Sequence, residues 1–154
     1  MGRPSTQARL TALADAFTDL GPAWGRWVTV CTPPEAVSYI RLRLLRALDQ
    51  HGDCIMTHLA SSLNVTQRRI TSLVAALADE QFVERRPNPD DGRSTVISIT
   101  DLGREHLERN WAQFQAEVRE AFGDLPPELR KQLLDITPKL TEALRARTAA
   151  KAVD

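Results

Sequence analysis

The stretch "THLASSLNVTQRRITSLVAALADEQF", residues 57–82, decides the fold. It predicts a helix of about two turns capped by Thr57, a break at "LNV", and a second helix capped by Thr66. In the second helix, apolar residues recur at three- and four-residue steps, namely Ile70, Leu73, Val74 and Leu77. A short helix, a tight break and an amphipathic helix together predict a helix-turn-helix.

The opposite face of the second helix suits the major groove of DNA. At 100° per residue this face carries Arg68, Ser72 and Ala75, with Arg69 and Thr71 beside them. The N-terminal half of such a helix normally reaches the base edges. We therefore predict DNA contacts from Thr66, Gln67, Arg68, Arg69, Thr71 and Ser72.

Two strand patterns follow, "FVERR" at 82–86 and "STVISIT" at 94–100, around the turn-rich segment "PNPDDGR" at 87–93. They predict a β-hairpin with an extended loop. Arg93 lies on that loop and suits the narrow, strongly negative minor groove, with Asp91 as its support. We also predict DNA contacts from Arg86 and Ser94. The alternative is an ordinary solvated hairpin with an incidental Asp91–Arg93 pair.

Helical patterns flank this segment. Residues 5–30 form an apolar stripe with a break at Gly21-Pro22, which predicts one long bent helix or two short ones. The segment "TPPE" at 32–35 has the form of a capping box and predicts a helix that ends near Gly52.

The last third of the chain predicts two more helices. Thr100 should cap the first, whose stripe runs from Leu107 to Phe122. The second stripe runs from Leu129 to Leu144, and Pro138 should kink it. These stripes at the two ends of the chain predict a dimer, because the small helix-turn-helix and hairpin between them cannot cover both.

Composition bounds the class of protein. The chain has 154 residues, 42% hydrophobic and 26% charged, which fits one domain or two sharing a core. No apolar run approaches the length of a membrane span and no signal-like block opens the chain, so we predict a cytoplasmic protein without membrane contact. Twenty basic and twenty acidic residues cancel, and the argument for DNA must therefore be local.

Other kinds of site find less support in the sequence. His51, Cys54 and His58 offer metal-binding atoms at short spacing, but no fourth ligand is evident, and we predict no metal and no cofactor. No nucleophile elbow, phosphate loop, dinucleotide fingerprint or zinc-protease motif is present, so we predict no catalytic residues and no enzyme. Cys31 is an alternative redox-sensing thiol.

The tryptophans and the single tyrosine lie outside the predicted DNA-reading segment. Core or dimer packing is one explanation for them. The other is an effector site for a small aromatic or amphipathic anion, with Arg43 available for the anionic group. The residues predicted for that site are Trp24, Trp27, Tyr39 and Arg43.

Across residues 44–107 the sequence resembles the MarR-type winged-helix regulators. The resemblance rests on "LASSL", on "ITSLVAALADEQFVERRPNPDDGRSTVISITDLG", and on Asp91-x-Arg93 followed by Ile99-Thr100-x-x-Gly103. It implies a dimer formed by the terminal helices, two winged helices on a DNA palindrome, and often a small-molecule or redox signal. Gln81 departs from the glycine that the family commonly has there, which would cost about 1 kcal/mol if that residue is left-handed.

Together these patterns predict a mainly α protein with a small β-hairpin wing, a winged helix-turn-helix joined to a helical dimerisation region. Residues 33–103 would bind DNA, and residues 1–32 and 104–154 would form the dimerisation region. The predicted function is a homodimeric repressor of the MarR type, released from a pseudo-palindromic double-stranded operator by the effector. The alternatives are a winged-helix protein-interaction module and a redox-sensing regulator acting through Cys31.

Overall fold

A computed structural model of the chain describes residues 5–31, 38–89, 91–92 and 94–151. Within these residues it contains six helices and three strands. In chain order they are α1 (Thr6–Cys31), α2 (Tyr39–His51), β1 (Cys54–Ile55), α3 (Met56–Leu63), α4 (Gln67–Asp79), β2 (Val83–Pro87), β3 (Thr95–Ile99), α5 (Asp101–Gly123) and α6 (Pro127–Lys151). The architecture is mainly helical with a small antiparallel sheet, as the sequence predicts.

The helix-turn-helix is confirmed, and the residues at its turn explain why it forms. Asn64 ends α3 in the left-handed conformation, with φ 55°, and asparagine tolerates that region better than most residues. The N–H of Val65 then donates to the carbonyl of Ala60 at 3.0 Å. Thr66 caps α4 as predicted, because its hydroxyl accepts a hydrogen bond from the N–H of Arg69 at 3.2 Å.

The start of α3 differs from the prediction. Thr57 lies inside the helix, and Ile55 is the N-cap residue, without a side-chain hydrogen bond. The cause is β1, a two-residue strand that pairs with β3 and holds Ile55 extended directly before the helix. The predicted two-stranded hairpin is therefore a three-stranded sheet in the order β1-β3-β2.

Helix α2 ends at His51, where the sequence predicts its end, and Gly52 follows with φ 77°. The predicted capping box at 32–35 lies outside the described residues. The two prolines predicted to break or kink helices, Pro22 and Pro138, lie inside α1 and α6, which run on through them. Of the two alternatives for residues 5–30, the structure has the single long helix.

The core of the winged helix is aliphatic. Leu44, Leu45, Leu59, Ile70 and Ile97 are fully buried, and each contributes about 1.5–3 kcal/mol relative to full exposure. They come from α2, α3, α4 and β3, so the face of α4 opposite to the predicted DNA side is anchored in the core.

The chain divides into two compact units, residues 1–114 and 115–154. The first contains α1 to β3 and the first part of α5. The second contains the end of α5 and all of α6, where no residue of α6 is buried. No helix in the described part of the chain is long and apolar enough to span a bilayer.

A tight junction joins the end of α4 to the start of α5. The Thr100 hydroxyl accepts from the N–H of Gly103 at 2.9 Å and donates to the carbonyl of Gln81 at 2.7 Å. Thr100 therefore caps α5, as predicted. Gln81 is left-handed with φ 62°, the conformation for which a non-glycine residue is expected to be strained. A Cβ added to Gly103 would lie 2.1 Å from the carbonyl oxygen of Phe82.

Replacing Gly103 with alanine should lower the free energy of unfolding by about 1–3 kcal/mol or more, because the new methyl group meets a backbone oxygen that cannot move aside. Gly92→Ala is the matched control, since a Cβ there meets no atom within 4 Å. Urea denaturation of both variants measures the difference. Equal stabilities would show that the junction is loose.

His106 lies beside this junction. Its ring stacks on Phe82 with the centroids 4.2 Å apart. Burial lowers the pKa of His106, the positive charges of Arg109 and Arg41 lower it further, and Glu80 opposes them. Glu80 also makes an ion pair with Arg41, with Nη2 and Oε1 2.6 Å apart.

Because the folded protein holds His106 with a lowered pKa, the unfolded chain binds the proton more tightly. The stability that comes from keeping His106 neutral is fully present above about pH 6.5, the pKa of histidine in the unfolded chain. It is lost as the pH falls from there through the lowered pKa of His106 in the folded protein. His106→Phe keeps the stack and removes the titration, so its free energy of unfolding should fall less between pH 7 and pH 5. Parallel profiles for both proteins would contradict this.

Candidate nucleic-acid interface

The first turns of α4 present a polar, basic surface. Ile70, Val74 and Leu77 are fully buried, which directs the other side of the helix outward. All six residues predicted there to contact DNA are exposed. They are Thr66, Gln67, Arg68, Arg69, Thr71 and Ser72. The structure thus brings together on one surface every predicted contact from α4.

The hydroxyl groups on this surface are oriented by the helix itself. Thr71 donates to the carbonyl of Gln67 at 2.8 Å, and Ser72 donates to the carbonyl of Arg68 at 3.2 Å. Each hydroxyl oxygen keeps its lone pairs toward solvent, so both side chains are set to accept hydrogen bonds. The surface therefore offers hydrogen-bond acceptors beside the guanidinium groups of Arg68 and Arg69.

The cations of this face are not neutralised by neighbours. Neither Arg68 nor Arg69 makes an ion pair with any described residue. The nearest acids along the helix are at its other end, where Asp79 is exposed and Glu80 pairs with Arg41. The N-terminal half of α4 therefore carries net positive charge.

The wing, β2 and β3 with the loop between them, is held by bonds across its tip. The Ser94 hydroxyl donates to the carbonyl of Asp91 at 3.1 Å and accepts from the Asn88 side-chain amide at 2.8 Å. The N–H of Ser94 also donates to the Asp91 carbonyl at 2.9 Å. Ser94, predicted as a DNA contact, thus organises the tip. Arg93 lies outside the described residues, and so does its pairing with Asp91.

Arg86, a further predicted DNA contact, is held on the sheet. Its Nη2 donates to Asp53 Oδ2 at 2.8 Å and to the hydroxyl of the buried Ser98. The guanidinium remains about half exposed, so it can still face a phosphate. Sequence reasoning missed Asp53, because nothing local shows that residues 54–55 pair with β3. It also passed over Arg85, which is exposed and has no ion pair among the described residues.

The predicted effector residues belong to an aromatic cluster around Phe114. Trp27, Tyr39 and Trp111 all place their ring centroids within 5.3–6.2 Å of the Phe114 ring. Trp24 lies 5.1 Å from Trp27 and is 38% exposed. The Arg43 guanidinium lies 6.0 Å from the Tyr39 centroid, the outer limit of a cation–π contact. The structure therefore brings the four predicted residues near one another and adds Phe114.

The remaining polar candidates are placed as follows. His51 ends α2, Cys54 lies in β1 and His58 lies in α3. Among the described residues no three metal-binding side chains converge. Burial raises the pKa of the Cys54 thiol, and the charge of Asp53 raises it further, which disfavours the reactive thiolate. Cys31 is a half-buried cysteine at the end of α1.

Comparison with known proteins places this geometry in context. The model of the MarR family matches residues 37–95. The transcriptional regulator YdgJ of Bacillus subtilis, an uncharacterised helix-turn-helix protein, is 27% identical over 104 residues, which are 68% of this chain and 63% of that protein. The chain thus spans just under two thirds of that relative's length.

Solved structures agree on the fold. The MarR family regulator Sco3205 of Streptomyces coelicolor, solved in complex with DNA, is 26% identical with a TM-score of 0.72, covering 94% of this chain and 92% of that one. BpsR of Bordetella bronchiseptica, whose DNA binding is regulated by 6-hydroxynicotinic acid, is 19% identical with a TM-score of 0.71, covering 82% and 98%. The second likeness shows the fold alone.

Substitution of Arg68 should show whether its guanidinium recognises a base or only contributes positive charge. Arg68→Ala should cost about 1–3 kcal/mol of DNA binding and relax base preference, if the guanidinium reads a guanine edge through two hydrogen bonds. Arg68→Lys keeps the positive charge but lacks the paired N–H donors of the guanidinium. Relative to Arg68→Ala, it should therefore recover affinity for random DNA but not for the preferred site. Fluorescence anisotropy with both DNAs measures this. Full recovery by lysine on the preferred site would reassign Arg68 to phosphate.

Proposed function

We infer that the chain is a member of the MarR family of DNA-binding transcriptional regulators, and we propose that it acts as a homodimeric repressor released from a palindromic operator by a small organic effector. The observation that carries the DNA-binding role is the exposed first half of α4, where two arginines without an ion pair among the described residues lie beside oriented hydroxyls. That surface is exposed among the described residues, and its chemistry fits base edges and phosphates.

Dimerisation is supported by apolar surface that the single chain leaves uncovered. On α1, Leu10, Leu13 and Leu20 are each more than half exposed and Phe17 is 41% exposed. These residues recur at three- and four-residue steps, so they form one stripe. On α6 the exposed apolar residues are Leu129, Leu133, Leu134, Ile136 and Leu144. Contiguous exposed stripes of this kind are typical of surfaces that a partner covers.

A two-fold dimer sets the form of the operator. Two copies of α4 related by a two-fold axis require two half-sites related by the same axis, with centres about one helical turn, 10 to 11 base pairs, apart. The wing arginine, Arg93, would enter the adjoining minor groove. A dimer bound to such a site near a promoter blocks transcription without needing any further interaction surface. We therefore propose that the protein represses transcription.

The proposed effector is a small aromatic or amphipathic anion that binds at Trp24, Trp27, Tyr39 and Arg43. Stacked rings with a nearby guanidinium suit a flat, negatively charged molecule. The regulation of BpsR by 6-hydroxynicotinic acid, an aromatic acid, supports this class of ligand. Such a ligand weakens DNA binding by its differential affinity for the free and bound conformations, typically 1–3 kcal/mol.

Sedimentation tests the dimer. At low micromolar concentration the protein should sediment at about twice the 17.2 kDa monomer mass. Leu13→Glu places a charge in the α1 stripe and should shift the protein to monomer, whereas Gln7→Glu, also exposed on α1, should not. The monomeric variant should lose operator binding, because one half-site contributes only part of the affinity. A wild-type monomer that still binds the palindrome would exclude the dimer mechanism.

A further inference from the structure

One guanidinium connects all three strands of the sheet. Nη2 of Arg86 in β2 donates to Oδ2 of Asp53, which directly precedes β1, at 2.8 Å, and also donates to the hydroxyl of Ser98 in β3. Because Nη2 carries two N–H groups, these two bonds use both of its donors. The three N–H groups on Nε and Nη1 of Arg86 make no hydrogen bond with a described residue. The side chain is therefore held through one nitrogen and leaves its other donors open.

The two consecutive arginines of β2 lie on opposite faces of the sheet. Arg85 is paired with the buried Ile97, so it lies on the face that packs on the core, whereas Arg86 is paired with Val96. Arg85 is exposed and makes no ion pair with a described residue. Arg86 therefore differs from its neighbour in having a carboxylate that neutralises it.

The face of the sheet that carries Arg86 also carries a second acid. Glu84 is paired with Ser98, so it lies on the same face as the hydroxyl that Arg86 reaches. Glu84 and Asp53 are both exposed, and together they set two negative charges beside the single positive charge of Arg86. Such a group of charges does not attract a phosphate backbone. Arg86 can attract DNA strongly only when Asp53 no longer neutralises it.

We propose that Asp53 restrains the charge-driven binding of DNA, because it neutralises Arg86 and so withholds one phosphate contact from the wing. This inference rests on the proposed DNA-binding function and deepens it. A free cation that contacts a phosphate releases a condensed counterion, and that release drives binding to DNA of any sequence. An arginine already paired with a carboxylate gains less, since it exchanges one anion for another. Asp53 thus acts through Arg86 and leaves sequence recognition to α4.

The test is the affinity for a random-sequence DNA duplex, measured by fluorescence anisotropy over a series of KCl concentrations. Asp53→Asn removes the negative charge, while its amide oxygen can still accept the hydrogen bond from Arg86. At about 100 mM KCl this variant should bind roughly five- to tenfold more tightly than the wild type. Its plot of log affinity against log salt should also be steeper by about 0.9, the value for one additional phosphate contact.

Two controls separate Arg86 from a general change in charge. Asp49→Asn makes the same change in net charge, and Asp49 is a similarly exposed carboxylate of α2 whose partner is Arg104. In an Arg86→Gln background, Asp53→Asn should gain no more affinity than Asp49→Asn gives. Thermal unfolding of each variant shows that it is folded. A folding defect would lower the affinity and would not steepen the salt dependence.

The outcomes distinguish this proposal from the proposed function. The proposal is wrong if Asp53→Asn gains no more than Asp49→Asn, or if its gain persists without Arg86. A loss of affinity in Asp53→Asn also overturns it, because Asp53 would then present Arg86 to DNA. In each of these cases, a preferred operator selected from random duplexes leaves the regulator intact.

The reverse result is equally distinct. If Asp53→Asn gains affinity through Arg86 but selection finds no preferred sequence, the restraint by Asp53 is supported and the proposed regulator is overturned. Absence of DNA binding by every variant, even at low salt, overturns both.

Discussion

The close approach of α5 to the end of the recognition helix is the constraint on which the winged helix depends. Gly103 packs so tightly against the carbonyl of Phe82 that no side chain fits there. Thr100 makes two hydrogen bonds to the segment after α4, donating its N–H to the carbonyl of Phe82 and its hydroxyl to the carbonyl of Gln81. The end of α4, the end of β3 and the start of α5 are therefore fixed to one another. Because proteins pack as closely as crystals, a shift of α5 is passed on to α4.

Much of this fold follows from local sequence, because local forces decide the elements concerned. The apolar repeat of α4, its cap at Thr66 and the left-handed Asn64 are set by residues within a few positions of one another. The outward face that carries Arg68 and Ser72 also follows from local sequence, because a helix that buries one apolar stripe exposes the residues on its opposite face. The family model and the solved structures confirm the MarR resemblance and the mainly α winged-helix fold.

What the sequence could not predict depends on contacts between distant segments. β1 has two residues, too few for any periodicity, and exists because β3 offers a partner to Cys54 and Ile55. That pairing moves the start of α3 ahead of Thr57 and places Asp53 next to Arg86, 33 residues later in the chain. An open groove lined by Arg43 of α2 and Arg69 of α4 could not be predicted either, because its walls come from elements that meet only after folding.

The charge balance shows how a formally neutral chain can present a basic surface. Of the acids near the DNA face, Asp53 is paired with Arg86 and Glu80 with Arg41. Asp79 is eleven residues from Arg68 along α4, about 16 Å along the helix axis. That separation exceeds the screening length of about 8 Å at physiological ionic strength, so the field of Asp79 hardly reaches the N-terminal turns. Neutrality of the whole chain therefore limits long-range attraction to DNA, whereas contact at short range depends on the two unpaired arginines. On the proposed function, affinity built in this way should fall with salt according to the few phosphates contacted, and its specificity should lie in the hydroxyls and guanidinium groups of α4.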